Sequence, residues 1–248
     1  MTSETGSNGR VELDVENGIA ALRLTDSEHK NVFSLELGED LVRFMMAIEE
    51  RDDVSAVSLT AEGDVFCAGL DVSVVREGSS AEREFLFDLL RAASDWLYWS
   101  EVPVVAGGVG AMPGAGAILM TAADIRVVGD DAALWWPEIA FGLRAYEPTI
   151  QLVSTVGAPK ATEIILLGDR AKVNAEEARR IGLVNRVVAS TEVDETVREV
   201  ATAIARYDDD GELVREHLRV IQHARQELQG ASTAYAKGRA LNIDVFDE

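Results

Sequence analysis

Glu138 follows a proline and stands among Trp135, Trp136, Ile139 and Phe141, neighbours able to strip water from its carboxyl. Desolvation penalises the charged form, so such a carboxyl is expected to titrate nearer neutrality and to carry a proton both ways. Taken alone, a Glu after Pro is more often a solvated turn residue. Two runs of small residues precede it: Phe66-Cys67-Ala68-Gly69-Leu70-Asp71, and the stretch from Gly107 to Gly116. Residues without bulk let main-chain N–H groups come close to an anion, and the mouth of a helix adds unpaired amides and a favourable dipole. Glu147 is a second acid further on, in an expected loop, either turned into a pocket or facing water.

Other chemistries find less support. Gly108-Val109-Gly110 follows a strand-like run, but Pro113 stands where a dinucleotide fingerprint needs its third glycine, and no Gly-Lys-Ser/Thr follows. Cys67 reads as a small buried thiol beside Phe66, with a nucleophile as the alternative. His29, His217 and His223 lack metal-ligand spacing, so no metal site is expected.

Alternating strands and helices must position these groups. The patterns predict strands at Val11–Val15 and Ile19–Leu24 joined by a tight turn at Asn17-Gly18. Ser34 caps a helix carrying Leu37, Leu41, Phe44, Met45 and Ile48. A buried strand at Val54–Leu59, a loop at Ala61–Leu70, a helix through Phe85, Leu89, Leu90 and Trp96, and a strand at Val102–Ala106 come next. After the glycine-rich turn, a helix at Ala117–Ala122 and a strand at Ile125–Val128 complete an α/β pattern with parallel strands. From about Ala158 the chain reads as purely helical. Gly168 ends one helix, Asn174 with Glu177 starts another that Gly182 ends, and Val193–Tyr207 and Glu212–Leu228 follow around a loop at Asp208–Gly211.

Four segments in register carry a resemblance that none would carry alone. They are Phe66 to Asp71; Pro103-Val104-Val105-Ala106 through Gly110, Gly114, Ala115 and Gly116 to Asp124-Ile125-Arg126; Pro137-Glu138-Ile139 with Gly142-Leu143; and Gly182-Leu183-Val184-Asn185-Arg186-Val187-Val188. In this order the chain resembles the enoyl-CoA hydratase/isomerase (crotonase) superfamily from about Val11 to Val188. The resemblance implies a crotonase-type ββα spiral core over residues 1–188 and a helical C-terminal region, 189–248, serving as lid or oligomer contact. It implies acyl-CoA as substrate, with CoA part of the thioester and no separate cofactor, and a homotrimer or hexamer.

Deprotonating carbon 2 of an acyl thioester moves charge onto the thioester oxygen, which needs preorganised donors. By resemblance these are the N–H groups of Leu70 and Ala115, with Glu138 as the catalytic carboxylate. The Ala68 carbonyl would face the CoA adenine and Lys30 its phosphates. Hydratases of the superfamily carry a second Glu where this chain has Ile118, and Leu70 with Met112-Pro113-Gly114 is similar to 3,2-enoyl-CoA isomerases. Isomerisation is therefore the favoured reaction. A hydratase or other crotonase-type lyase or hydrolase using Glu147 or water is the alternative, and a non-catalytic acyl-CoA-binding protein is a third reading. Ile118, Trp136 and Glu147 are the expected pocket residues.

Bulk composition narrows the partners. The net charge is −21, from 44 acidic against 23 basic residues, and only Lys30, Lys160, Lys172 and Lys237 are lysines. Nucleic acid, which requires a basic surface, is not expected as a partner. Such acidity suits solubility in concentrated salt, where repulsion is screened, and a halophilic source is the expectation. Cys67 is the single cysteine, which fits a reducing cytoplasm, and the N-terminus lacks the apolar core of a signal peptide. Val102 to Ala123 is uncharged, but Pro103, Pro113 and its glycines break it into short pieces, so no membrane span is expected.

Overall fold

The computed structural model describes residues 2–207 and 212–240. The predicted loop at Asp208–Gly211 lies outside them. In chain order the elements are β1 (Thr2–Thr5), β2 (Val11–Glu16), β3 (Ile19–Leu24), α1 (Leu35–Glu49), β4 (Ala56–Ala61), α2 (Val72–Glu77), α3 (Ser80–Trp99) and β5 (Val104–Gly108). Then come β6 (Ala111–Pro113), α4 (Ala115–Ala122), β7 (Ile125–Gly129), β8 (Ala133–Trp135), α5 (Tyr146–Val156), α6 (Ala158–Leu167), β9 (Val173–Asn174), α7 (Ala175–Arg180), β10 (Arg186–Val188), α8 (Val193–Ala205) and α9 (Glu212–Ala240).

Seven strands form one sheet in the order β1-β2-β3-β4-β5-β7-β10. The first three are antiparallel to one another, and every pairing from β3 onward is parallel. Asn17 and Gly18 both take left-handed φ, 52° and 75°, the geometry of a tight hairpin turn. The parallel strands alternate between two cores, as a period of two requires. Val57, Leu59, Val104, Ala106 and Val128 join the main core, together with residues of α1, α3 and α4. Ala56, Val105 and Val127 face the other way, against Val193, Val197, Val200 and Ala201 of α8.

Local chemistry sets the helix starts. The Ser34 hydroxyl accepts from Leu37 N–H at 3.2 Å, and the Asn174 side chain accepts from Glu177 N–H at 2.9 Å. Ser79 and Glu82 form a reciprocal capping box before α3. Among the described residues no helix is long and apolar enough to cross a membrane. The Val102 to Ala123 stretch is β5, β6 and α4 in succession.

Five expectations are corrected. The C-terminal part is not purely helical, because β9 pairs with β8 and β10 extends the large sheet beside β7. Both strands are too short for a period to register in the sequence. The helix after Gly114 starts at Ala115 rather than Ala117, since Gly114 takes the cap and its carbonyl already accepts Ile118 N–H at 2.9 Å. Glu147 lies in the first turn of α5, not in a loop. The polar N-terminus supplies an edge strand, β1, and Asp71 caps a separate helix, α2, that periodicity missed.

Candidate functional site

The two small-residue runs meet at the mouth of α4. Residues 69–71 run beside Phe33 in a single parallel bridge, with Phe33 N–H donating to Gly69 O at 2.8 Å and Asp71 N–H donating to Phe33 O at 3.1 Å. Peptide groups alternate sides along an extended chain, so the Leu70 N–H between those two bonds faces away from Phe33. Ala115 is the first residue of α4, and its N–H is one of the four at a helix start that have no acceptor within the helix.

Glycine is required where the runs touch. Gly69 takes φ +96°, and a Cβ there would stand 3.1 Å from Pro113 O. A Cβ on Gly116 would run into Cys67 O, which is main chain and cannot swing aside. Gly116→Ala is therefore expected to push the 66–70 loop off α4 and to cost about 1–3 kcal/mol of stability. Thermal unfolding measures it; an unchanged melting temperature contradicts this contact.

Glu138 arrives from the small sheet. β6 and β8 pair in parallel, Pro113 opposite Trp135, and Gly114 N–H donates to Trp135 O at 3.0 Å. That register brings the 3-10 turn Glu138–Phe141 beside the start of α4, and a Cβ on Gly114 would stand 3.4 Å from Glu138 Oε1. Gly142 closes the turn in the left-handed region, and Leu143 N–H donates to Glu138 O at 2.9 Å. Glu138 Oε2 is buried without a hydrogen-bond partner. Burial pushes the Glu138 carboxyl up to about 7, opposed by a hydrogen bond from its own main-chain N–H.

The other expected site residues fall in different places. Ile118 is buried one turn into α4. Ala68 N–H donates to Lys30 O at 3.1 Å, tying the two expected CoA contacts together through main chain, while the Lys30 side chain is exposed. Trp136 is 1% exposed and belongs to the main core. Ile139 and Phe141, expected to shield Glu138, are 49% and 48% exposed. Cys67 is buried, and burial pushes its thiol up to about 12, which leaves it inert as a nucleophile.

Sequence reasoning missed Asn31. Its side chain is fully buried and donates to Glu62 O at 2.9 Å and Val65 O at 2.8 Å, stitching the loop before Leu70 to the loop before α1. The available signal was weak: one Asn in a polar loop, a residue type that tolerates left-handed backbone.

The site combines a desolvated carboxyl with unpaired main-chain amides at a helix mouth, equipment for moving a proton next to a developing oxyanion. The sequence profile described as enoyl-CoA hydratase/isomerase matches residues 14–245. A short-chain-enoyl-CoA hydratase of Clostridium acetobutylicum is 30% identical over 196 residues, covering 78% of this chain and 74% of its own. A peroxisomal Delta(3,5)-Delta(2,4)-dienoyl-CoA isomerase of Arabidopsis thaliana is 28% identical over 208 residues, covering 78% and 74%. The crystal structure of an enoyl-CoA hydratase/isomerase from Xanthobacter autotrophicus Py2 superposes with a TM-score of 0.80 at 28% identity, covering 95% of this chain and 86% of that one.

Proposed function

The chain belongs to the enoyl-CoA hydratase/isomerase family of crotonase-fold enzymes, and from that premise we propose that it is a 3,2-enoyl-CoA isomerase with Glu138 as its proton shuttle. The Glu138 carboxylate removes a proton from carbon 2 of a 3-enoyl-CoA. The freed electron pair passes to the thioester oxygen, where the Leu70 and Ala115 N–H groups hold the charge. The protonated carboxyl then returns the proton to carbon 4, and the double bond moves to carbons 2 and 3. Lys30 and the Ala68 carbonyl are the proposed contacts for the phosphates and adenine of CoA.

One observation carries the choice of reaction: a buried carboxyl, Glu138, at the mouth of α4, with apolar Ile118 buried where hydration would need a second acid. Adding water across a double bond takes one group to activate the water and another to deliver the proton; moving a proton along the chain takes one. Hydration with Glu147 as the second acid is the competing reading, supported by the hydratase relative. Purified protein given a 3-enoyl-CoA is expected to form the 2-enoyl product and to leave a 2-enoyl-CoA unhydrated. Hydration faster than isomerisation sinks the isomerase assignment.

Self-association as a trimer or hexamer is part of the same proposal. Leu213, Val220, Ile221 and Leu228 are exposed on α9 and fall within one stripe at helical spacing, an apolar face suited to a second copy. Sedimentation at the monomer mass in high salt contradicts it.

A further inference from the structure

Asn31 makes contacts that the proposed chemistry does not use, and they converge on the segment that presents Leu70. Lys30 and Asn31 are consecutive non-glycine residues in the left-handed region, with φ of 55° and 50°. Asn tolerates this backbone and Lys adopts it only at a cost, so two in succession persist where the surroundings enforce them. The enforcing contacts are specific. Asn31 N–H donates to Asp26 O at 2.9 Å, and both Nδ2 hydrogens are used, on Glu62 O and Val65 O. Held in that shape, the strap presents Lys30 O to Ala68 N–H and Phe33 to Gly69 O and Asp71 N–H.

Residues 62–71 are thus bonded to the strap at Glu62, Val65, Ala68, Gly69 and Asp71, in step along the whole loop. The Leu70 N–H is flanked by these bonds and left out of them. Its direction is set by how the strap holds its neighbours, while the other side of the loop rests on Pro113 O and Gly116. Asn31 supplies the side chain that reaches from the strap into the loop and bonds two of its carbonyls, while the Cys67 thiol reaches back toward main chain of Phe33 and Gly69.

We propose that Asn31 is a positioning residue for the oxyanion-binding amide of Leu70: the strained Lys30–Asn31 strap, locked by the Asn31 carboxamide, sets the direction of that N–H. The inference rests on the proposed thioester chemistry and adds to it a residue that touches no substrate. Displacing a donor by about 1 Å from its productive position can cost on the order of 100-fold in rate.

Two variants test it. Asn31→Gly keeps the left-handed backbone accessible and deletes the carboxamide; Asn31→Asp keeps the size and removes the Nδ2 donors. Each is compared with wild type by steady-state kinetics on a 3-enoyl-CoA, by thermal unfolding, and by the absorption band of bound cinnamoyl-CoA. That band moves to longer wavelength when donors polarise the thioester carbonyl. The expected result is a kcat lower by about 10- to 100-fold, a KM within about threefold, and a smaller red shift in any variant that folds. A merely structural Asn31 would lower the melting temperature and leave the red shift of the folded protein intact, which overturns the inference alone. No red shift in wild type overturns the oxyanion reading, and the inference falls with it.

Discussion

Glu138→Gln is expected to lower isomerisation of a 3-enoyl-CoA by about 1,000-fold, the middle of the range for losing a positioned general base. The substitution keeps the side chain's volume beside Gly114 and removes only its ability to accept and return a proton. KM is expected to change little, because the carboxylate acts on carbon rather than on the CoA moiety. In wild type the rate should rise about tenfold per pH unit on the acid side and level off through pH about 7, where the carboxyl loses its proton. A variant retaining a tenth of the wild-type rate, or a profile flat from pH 5 to 8, removes Glu138 from the reaction.

The same substitution has a stability consequence of opposite sign. The folded-state pKa of Glu138, about 7, lies above its ordinary value of 4.5, so the folded protein holds a proton that the unfolded chain has released between those values. Stability attributable to this group is therefore lost as pH rises from about 4.5 through about 7, and the ionised, desolvated carboxylate then costs on the order of 3 kcal/mol. Gln carries no charge to desolvate. Glu138→Gln should melt several degrees above wild type at pH 8 and with it at pH 4.5. Gain of stability together with loss of rate is the signature of a group kept under strain for chemistry rather than for packing.

The residues that read clearly in the sequence are those whose role is written in local pattern. Asn17-Gly18 demands a tight turn whatever surrounds it, Ser34 and Asn174 cap the helices they precede, and strands β4 and β5 read as short apolar runs because the sheet is covered on both faces. The two small-residue runs and Glu138 were legible as a set because glycine at 69 and 116 is a requirement of close main-chain approach. What stayed hidden depends on partners distant in the chain. β9 and β10 have two and three residues and exist only through β8 and β7. Trp136 reads as a pocket aromatic by its neighbours, yet the fold turns it into the core, while Ile139 and Phe141, adjacent in sequence, face outward. Asn31 has its meaning only through carbonyls 31 and 34 residues away.

Ala115→Pro should remove the second proposed donor outright, since no side-chain substitution can delete a main-chain N–H in any other way. Position 115 is the first residue of α4, where proline is tolerated because the missing N–H has no helical acceptor and the ring's φ already suits a helix. Gly114 before it has no Cβ to meet the ring. The helix should therefore form, and the cost should appear in the chemistry: about 3–4 kcal/mol of barrier, or on the order of 100- to 1,000-fold in kcat. Free CoA, which has no thioester carbonyl, should bind the variant as it binds wild type, and this separates loss of the donor from collapse of the site. Should the folded variant turn over a 3-enoyl-CoA at close to the wild-type rate, the charge on the thioester oxygen is held by something other than the mouth of α4.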